Sequence, residues 1–137
     1  MQTENPQSQE EDAASPIVLV VDDEPAIVRA LSYLLSRASL DVRVAQDGDE
    51  AIAAIEEHHP SLVLLDVMLP KRDGFEICEM IRANPDWQDI RIIMLTARGR
   101  DADREKGLAL GADEYLTKPF STREVLAKVQ KILAADA

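Results

Sequence analysis

Leu62-Val63-Leu64-Leu65-Asp66-Val67-Met68-Leu69-Pro70 is the stretch from which the fold is read. Leu62 to Leu65 are apolar without alternation, and the run ends in the carboxylate of Asp66. An unbroken apolar strand is buried on both faces, as in a parallel sheet, whereas a strand with one wet face alternates. Pro70, Lys71, Arg72, Asp73 and Gly74 follow as an exposed turn. Asp66 is therefore expected at the carboxyl end of a central strand, where open α/β sheets bind their ligands. Capping of the following loop is the simpler role for such an aspartate.

A second stretch weighs against that simpler role. Ile17-Val18-Leu19-Val20-Val21 is another apolar run, and it ends in Asp22-Asp23-Glu24 ahead of Pro25, a favoured first helical residue. If the two strands are parallel neighbours, Asp22, Asp23 and Asp66 converge at one end of the sheet. Three carboxylates in one pocket cannot all remain ionised without a counter-charge. A hard divalent cation supplies it, and Mg²⁺, held by a few carboxylates with waters and a phosphate, fits best.

Outward from these strands the pattern repeats. Helices are expected from about Pro25 to Ala38, from Asp47-Gly48-Asp49-Glu50 onward, over Gly74 to Ala83, over Asp101 to Leu110 and from the capping box Ser121-Thr122-Arg123-Glu124 to about Ala134. Gly111 is a C-terminal stop. Further strands are expected over Val42 to Ala45, Arg91 to Leu95 ending in Thr96, and Glu114 to Thr117 leading into Lys118-Pro119. Five strands alternating with five helices imply a parallel sheet with right-handed crossovers and helices on both faces. Residues 1–15 are polar and acidic and read as a disordered tail, which leaves 16–137 as one domain.

Composition narrows the function. The chain has 137 residues, of which 46% are hydrophobic, enough for one domain with a core. No apolar run approaches a membrane span, and no signal peptide is visible. Cys78 is the only cysteine, in keeping with a reducing cytoplasm. Net charge is −11, and removing the four acids of the tail, which has no base, leaves −7. A domain that acidic is a poor partner for nucleic acid or an anionic membrane, so protein partners are expected. His58-His59 suits a helix end in solvent better than a metal or phosphohistidine site. Cys78 reads as a small helix residue, and Trp87, in a loop after Asn84-Pro85-Asp86, is expected to cover the sheet edge.

Asp22, Asp23, Asp66, Thr96 and Lys118 all follow apolar strands. Acids, a hydroxyl and an amine at one sheet edge suit a phosphoryl group, which a carboxylate can accept as an aspartyl phosphate. In the motifs VLVVDDEP, LVLLDVMLPKRDG, IIMLTARG and GADEYLTKPF, in that order, the chain resembles the receiver domain of bacterial two-component response regulators over about residues 16–135. The resemblance implies a flavodoxin-like (βα)5 fold with strand order 2-1-3-4-5. It implies that Asp66 is the phosphoacceptor. Asp23 and Asp66, with the Met68 backbone carbonyl, would bind Mg²⁺ directly, and Asp22 would act through a water. Lys118 would contact the phosphoryl group and Asp66, with Thr96 and Tyr115 as the switch pair. Met68 and Arg98 would modulate the access of water, and Lys118-Pro119 would be cis. The donor would be a histidine kinase or a histidine phosphotransfer protein. Met94 to Phe120 resembles the OmpR/PhoB subgroup, which dimerises through the face of the fourth helix, fifth strand and fifth helix. Arg104 with Glu124 and Glu114 with Lys128 are the pairs to match there. On this reading the chain is either a single-domain regulator or a receiver from a longer protein, and it is a signalling domain rather than an enzyme. An Asp-nucleophile phosphohydrolase is the rival class, but it would want Asp-x-Asp after the first strand and a large cap. A flavodoxin would want a Ser/Thr-rich loop there.

Overall fold

The computed structural model describes residues 15–135. The expected tail, 1–15, lies outside them except for Ser15. Five parallel strands alternate with five helices: β1 Ile17–Val21, α1 Pro25–Arg37, β2 Asp41–Ala45, α2 Gly48–His58, β3 Leu62–Asp66, α3 Gly74–Ala83, β4 Arg91–Ala97, α4 Asp101–Ala109, β5 Glu114–Lys118 and α5 Thr122–Ala135. The sheet order is β2-β1-β3-β4-β5. This is the flavodoxin-like 2-1-3-4-5 order that the motifs imply.

Central β3 is buried over its whole length, and β1 over all but its first residue. Each carries apolar side chains to two separate cores, which is why neither alternates. On one side Leu19, Val21, Val63, Leu65, Ile92 and Met94 pack with α2 and α3 residues such as Ile55, Ile77 and Ile81. On the other, Val18, Val20, Leu62, Leu64, Ile93 and Leu95 pack under Leu31 and Leu35 of α1 and Val125 and Val129 of α5. The helix α4 is the least anchored: Gly107 is its only buried residue, set against the Met94 side chain.

Trp87 differs from the expectation of a loop cover. It lies in a short 3₁₀ turn, Pro85–Trp87, that Asn84 opens by accepting the Asp86 N–H, and its ring is buried in the first core. Cys78 is buried in the same core, and burial pushes its thiol pKa up to about 11. Both histidines close α2. His58 lies 3.2 Å from an Arg43 nitrogen, and His59, in a left-handed C-cap conformation, lies 2.9 Å from Asp89.

The turn after β3 is pinned from two sides. The Gly48 N–H donates to Pro70 O at 3.2 Å, and Arg72 bridges Asp49 and Glu76 at 3.0 and 2.9 Å. The Gly74 N–H donates to Val67 O at 2.9 Å, which folds the turn back onto the end of β3. A methyl group at Gly74 would collide with the Asp66 carbonyl oxygen and come within 2.9 Å of Val67 Cα. Gly74→Ala is therefore expected to cost about 1–3 kcal/mol, as overpacking against rigid backbone does. A lowered urea midpoint with an unchanged slope would show it, and an unchanged midpoint would refute the close approach.

Candidate functional site

Register brings the chemistry together. Val21 pairs with Leu65, and Leu95 with Asp66, so β1, β3 and β4 end at nearly the same level. Asp22 follows β1, Asp66 ends β3, Thr96 lies near the end of β4, and Lys118 ends β5. Asp22, Asp23 and Asp66 each bring a carboxylate oxygen into a cluster whose members lie within 4.8 Å of one another. Asp22 is 0% and Asp66 6% exposed, while Asp23 faces solvent.

One ammonium answers this charge. Lys118 Nζ donates to Asp22 Oδ2 at 2.8 Å and to Glu24 Oε1 at 3.0 Å, and lies 3.6 Å from Asp66 Oδ1. Burial alone would lower the Lys118 pKa, but its bonds to Asp22 and Glu24 and the charges of Asp66 and Asp22 outweigh that, so the pKa is raised. Asp66 is served less well. Burial, reinforced by the Asp22 charge, pushes its pKa up to about 6 against the pull of Lys118 and the Met68 N–H. The Met68 N–H donates to Asp66 Oδ1 at a long 3.3 Å, and the Met68 side chain is exposed. A buried carboxylate short of positive charge, with two more beside it and all donors oxygen, fits a hard divalent cation such as Mg²⁺.

A cavity of about 430 Å³ opens over the cluster, lined by Asp23, Asp66, Met68 and Lys118 among others. Thr96 is buried behind it, where its hydroxyl donates to Leu116 O at 3.4 Å and lies 3.5 Å from Thr117 Oγ1. Tyr115 stands apart from the cluster, half-buried on β5, with Arg104 and Lys128 lying 4.7 and 4.6 Å from its ring centre. The Lys118–Pro119 bond is cis. Arg98 is exposed and lines neither this cavity nor the groove beside it, whereas Arg100 lines both. Glu24, read in the sequence only as part of the acidic run, is a direct partner of Lys118. Its place beside Asp22 and Asp23 was the available signal.

A doubly wound sheet with a buried aspartate, a lysine and a hydroxyl at its carboxyl edge defines a receiver-type signalling domain. The family model described as response regulator receiver domain matches residues 18–130, and the chain belongs to that family, whose signalling depends on phosphorylation. The alkaline phosphatase synthesis transcriptional regulatory protein PhoP of Bacillus subtilis is 51% identical over 116 residues, covering 85% of this chain and 48% of that protein. The chain thus spans about half the length of this curated relative. Among solved structures, the Vibrio cholerae chemotaxis response regulator CheY4 superposes with a TM-score of 0.82 at 31% identity, covering 87% of this chain and 99% of that one. The receiver domain of a Francisella response regulator superposes at 0.83 with 30% identity, covering 90% and 100%. No helix among the described residues is long and apolar enough to cross a membrane.

The raised pKa of Asp66 sets a pH dependence. An unfolded carboxyl titrates near pH 3.9 and folded Asp66 near 6, so stability falls as pH rises through that window. Below it Asp66 is protonated in both states, and above it the folded state carries the full cost of ionisation. In metal-free buffer Asp66→Asn should therefore be more stable than the parent at pH 7, by up to about 3 kcal/mol for a shift of that size. The gain should vanish below pH ~4. Thermal melts across that range check it, and a variant less stable than the parent at pH 7 would contradict the assignment.

Proposed function

We propose that Asp66 accepts a phosphoryl group from a histidine kinase or a histidine phosphotransfer protein, and that the α4–β5–α5 face carries the signal onward. The observation that carries this reading is the buried, under-compensated Asp66 at the mouth of the sheet, with Lys118 within 3.6 Å. An Asp66 oxygen attacks phosphorus, an O–P bond forms, and the N–P bond to the donor histidine breaks. The donor ring keeps the electron pair of that bond and picks up a proton. Mg²⁺ would be held by Asp23, Asp66 and the Met68 carbonyl, with Asp22 acting through a water, and would supply charge neutralisation for the phosphoryl oxygens. Lys118 turns from Asp22 and Glu24 toward the new group. Thr96 gives up its long bond to Leu116 O to donate to a phosphoryl oxygen, and Tyr115 turns into the space that Thr96 leaves.

Output is read from a surface. Arg104 and Lys128, two of the charges expected in a dimer, are engaged within the chain. Arg104 lies 3.5 Å from Asp101 and over the Tyr115 ring, while Lys128 lies 3.6 Å from Glu114 and donates to Tyr115 O at 2.7 Å. Turning Tyr115 removes the ring that both cations face, so that Arg104 is free to meet Glu124, and Lys128 to meet Glu114, across a two-fold axis. Exposed ion pairs contribute only about 0–1 kcal/mol each, which keeps the resting protein monomeric. In place of self-association, the same face would serve a downstream protein.

Acetyl phosphate with Mg²⁺ should give a phosphoryl mass gain that maps to Asp66 and is lost in Asp66→Ala. Asp23→Asn should abolish Mg²⁺ binding, and retention of parental affinity would reject that ligand. Sedimentation with and without beryllofluoride should show a monomer becoming a dimer. An activated protein that stays monomeric assigns the face to another partner.

A further inference from the structure

Arg100 stands four residues beyond Thr96, at the N-terminal boundary of α4. It lines the cavity over Asp66 together with Asp23, Glu24 and Lys118, and it lines the adjoining groove with Met68. Its guanidinium is engaged by Asp103, Nε lying 3.1 Å from Oδ2 and Nη2 3.4 Å from Oδ1. The Arg100 side chain is 59% exposed while Asp103 is 15% exposed, and an ion pair with one partner so open to water contributes about 1 kcal/mol. Arg100 is thus held in place by little, and the charge around it is unbalanced. Asp22, Asp23, Glu24, Asp66 and Asp103 crowd this end of the sheet, and Lys118 already serves three of them. Phosphorylation replaces the single charge of Asp66 by a dianionic group.

We propose that Arg100 leaves Asp103 when Asp66 is phosphorylated and binds the phosphoryl oxygens as a second cation beside Lys118. This rests on the reading of Asp66 as phosphoacceptor. A guanidinium suits the task because its planar fork donates two parallel bonds to adjacent oxygens, whereas an ammonium acts as a point charge. Asp103 is the competitor that holds Arg100 in the resting state and sets how strongly the phosphoryl group must pull. The exchange has a mechanical outlet. The Asp103 and Arg104 N–H groups donate to Arg100 O at 3.0 and 3.3 Å, and Arg100, at the N-cap position, makes no side-chain cap bond to the helix. A side chain drawn toward Asp66 therefore pulls on the first turn of α4, the helix with the weakest hold on the core. Its neighbour Arg104 lies over Tyr115, so the pull reaches the output face directly.

Beryllofluoride binding in the presence of Mg²⁺ tests this in the full chain. Arg100→Gln should weaken beryllofluoride binding roughly tenfold, the loss expected for one charge-assisted hydrogen-bonding group. Its Mg²⁺ affinity without beryllofluoride should not fall. Asp103→Asn, which frees Arg100, should strengthen beryllofluoride binding. Arg100→Lys should lie between Arg100→Gln and the parent. Opposite signs for Arg100→Gln and Asp103→Asn are the signature, because a pair that merely pins α4 would give the same sign on losing either member. Equal weakening in both variants, or parental affinity in Arg100→Gln, overturns the proposal while leaving Asp66 as phosphoacceptor. A parent protein that binds no beryllofluoride overturns both readings.

Discussion

Lys118 Nζ lies within 3.6 Å of three carboxylates contributed by two other loops and strands, and the arrangement of the whole carboxyl edge follows from that sharing. One positive charge cannot neutralise Asp22, Glu24 and Asp66 together. Asp22 and Glu24 hold the shorter contacts, so the deficit falls on Asp66, the most central of the three. The sheet makes the deficit unavoidable. Parallel β1, β3 and β5 end on one side, and their apolar bodies fill two cores beneath the acids. A deficit of this kind is useful because it is relieved only by added positive charge or by a proton. The folded protein thus keeps at Asp66 a strain that binding can discharge.

The same logic explains which parts were legible beforehand. Residues at strand ends were legible, since an apolar run that stops at Asp22, Asp66 or Thr96 states where each group sits along its strand. Strand order was legible through the motifs rather than through periodicity, since an unbroken apolar run is compatible with any central position. Long side chains were not. Arg98 and Arg100 flank Gly99, at φ 81°, in a polar stretch, and no pattern in that stretch says which of them borders the cavity. Trp87 read as a loop residue because Asn84-Pro85-Asp86 is turn chemistry, yet a 3₁₀ turn aims the ring inward. Gly74 read as an ordinary turn glycine. Its real constraint is the Asp66 carbonyl, a contact between residues eight apart that no local pattern carries.

On the opposite edge of the sheet, Arg82 holds the structure in a different way. It donates to Gly111 O at 2.9 Å, to Ile90 O at 2.8 Å and to Asp113 at 3.0 Å, which ties the end of α3 to the entries of β4 and β5. Asp113 also accepts the Ile92 N–H and lies 3.4 Å from Arg91. Here each guanidinium nitrogen of Arg82 has a backbone or carboxylate acceptor. One edge is thus satisfied and stiff while the other is under-compensated. The second edge also borders α4, which buries only a glycine.

The buried position of Trp87 has a spectroscopic consequence. It is the only tryptophan of the chain, and it shares the first core with Cys78, Ile81 and Ile90, just ahead of the amino end of β4. Its emission therefore reports whether α3 is seated on the sheet, with the blue-shifted maximum of an indole shielded from water. The acidic cluster lies at the other end of the strands, beyond the reach of direct contact quenching. The two tyrosines divide differently: Tyr33 is exposed on α1, and Tyr115 lies between two cations on β5. On the proposed function, unfolding and switching would thus be separable by fluorescence without adding a label, the first followed through the indole and the second through the phenol of Tyr115.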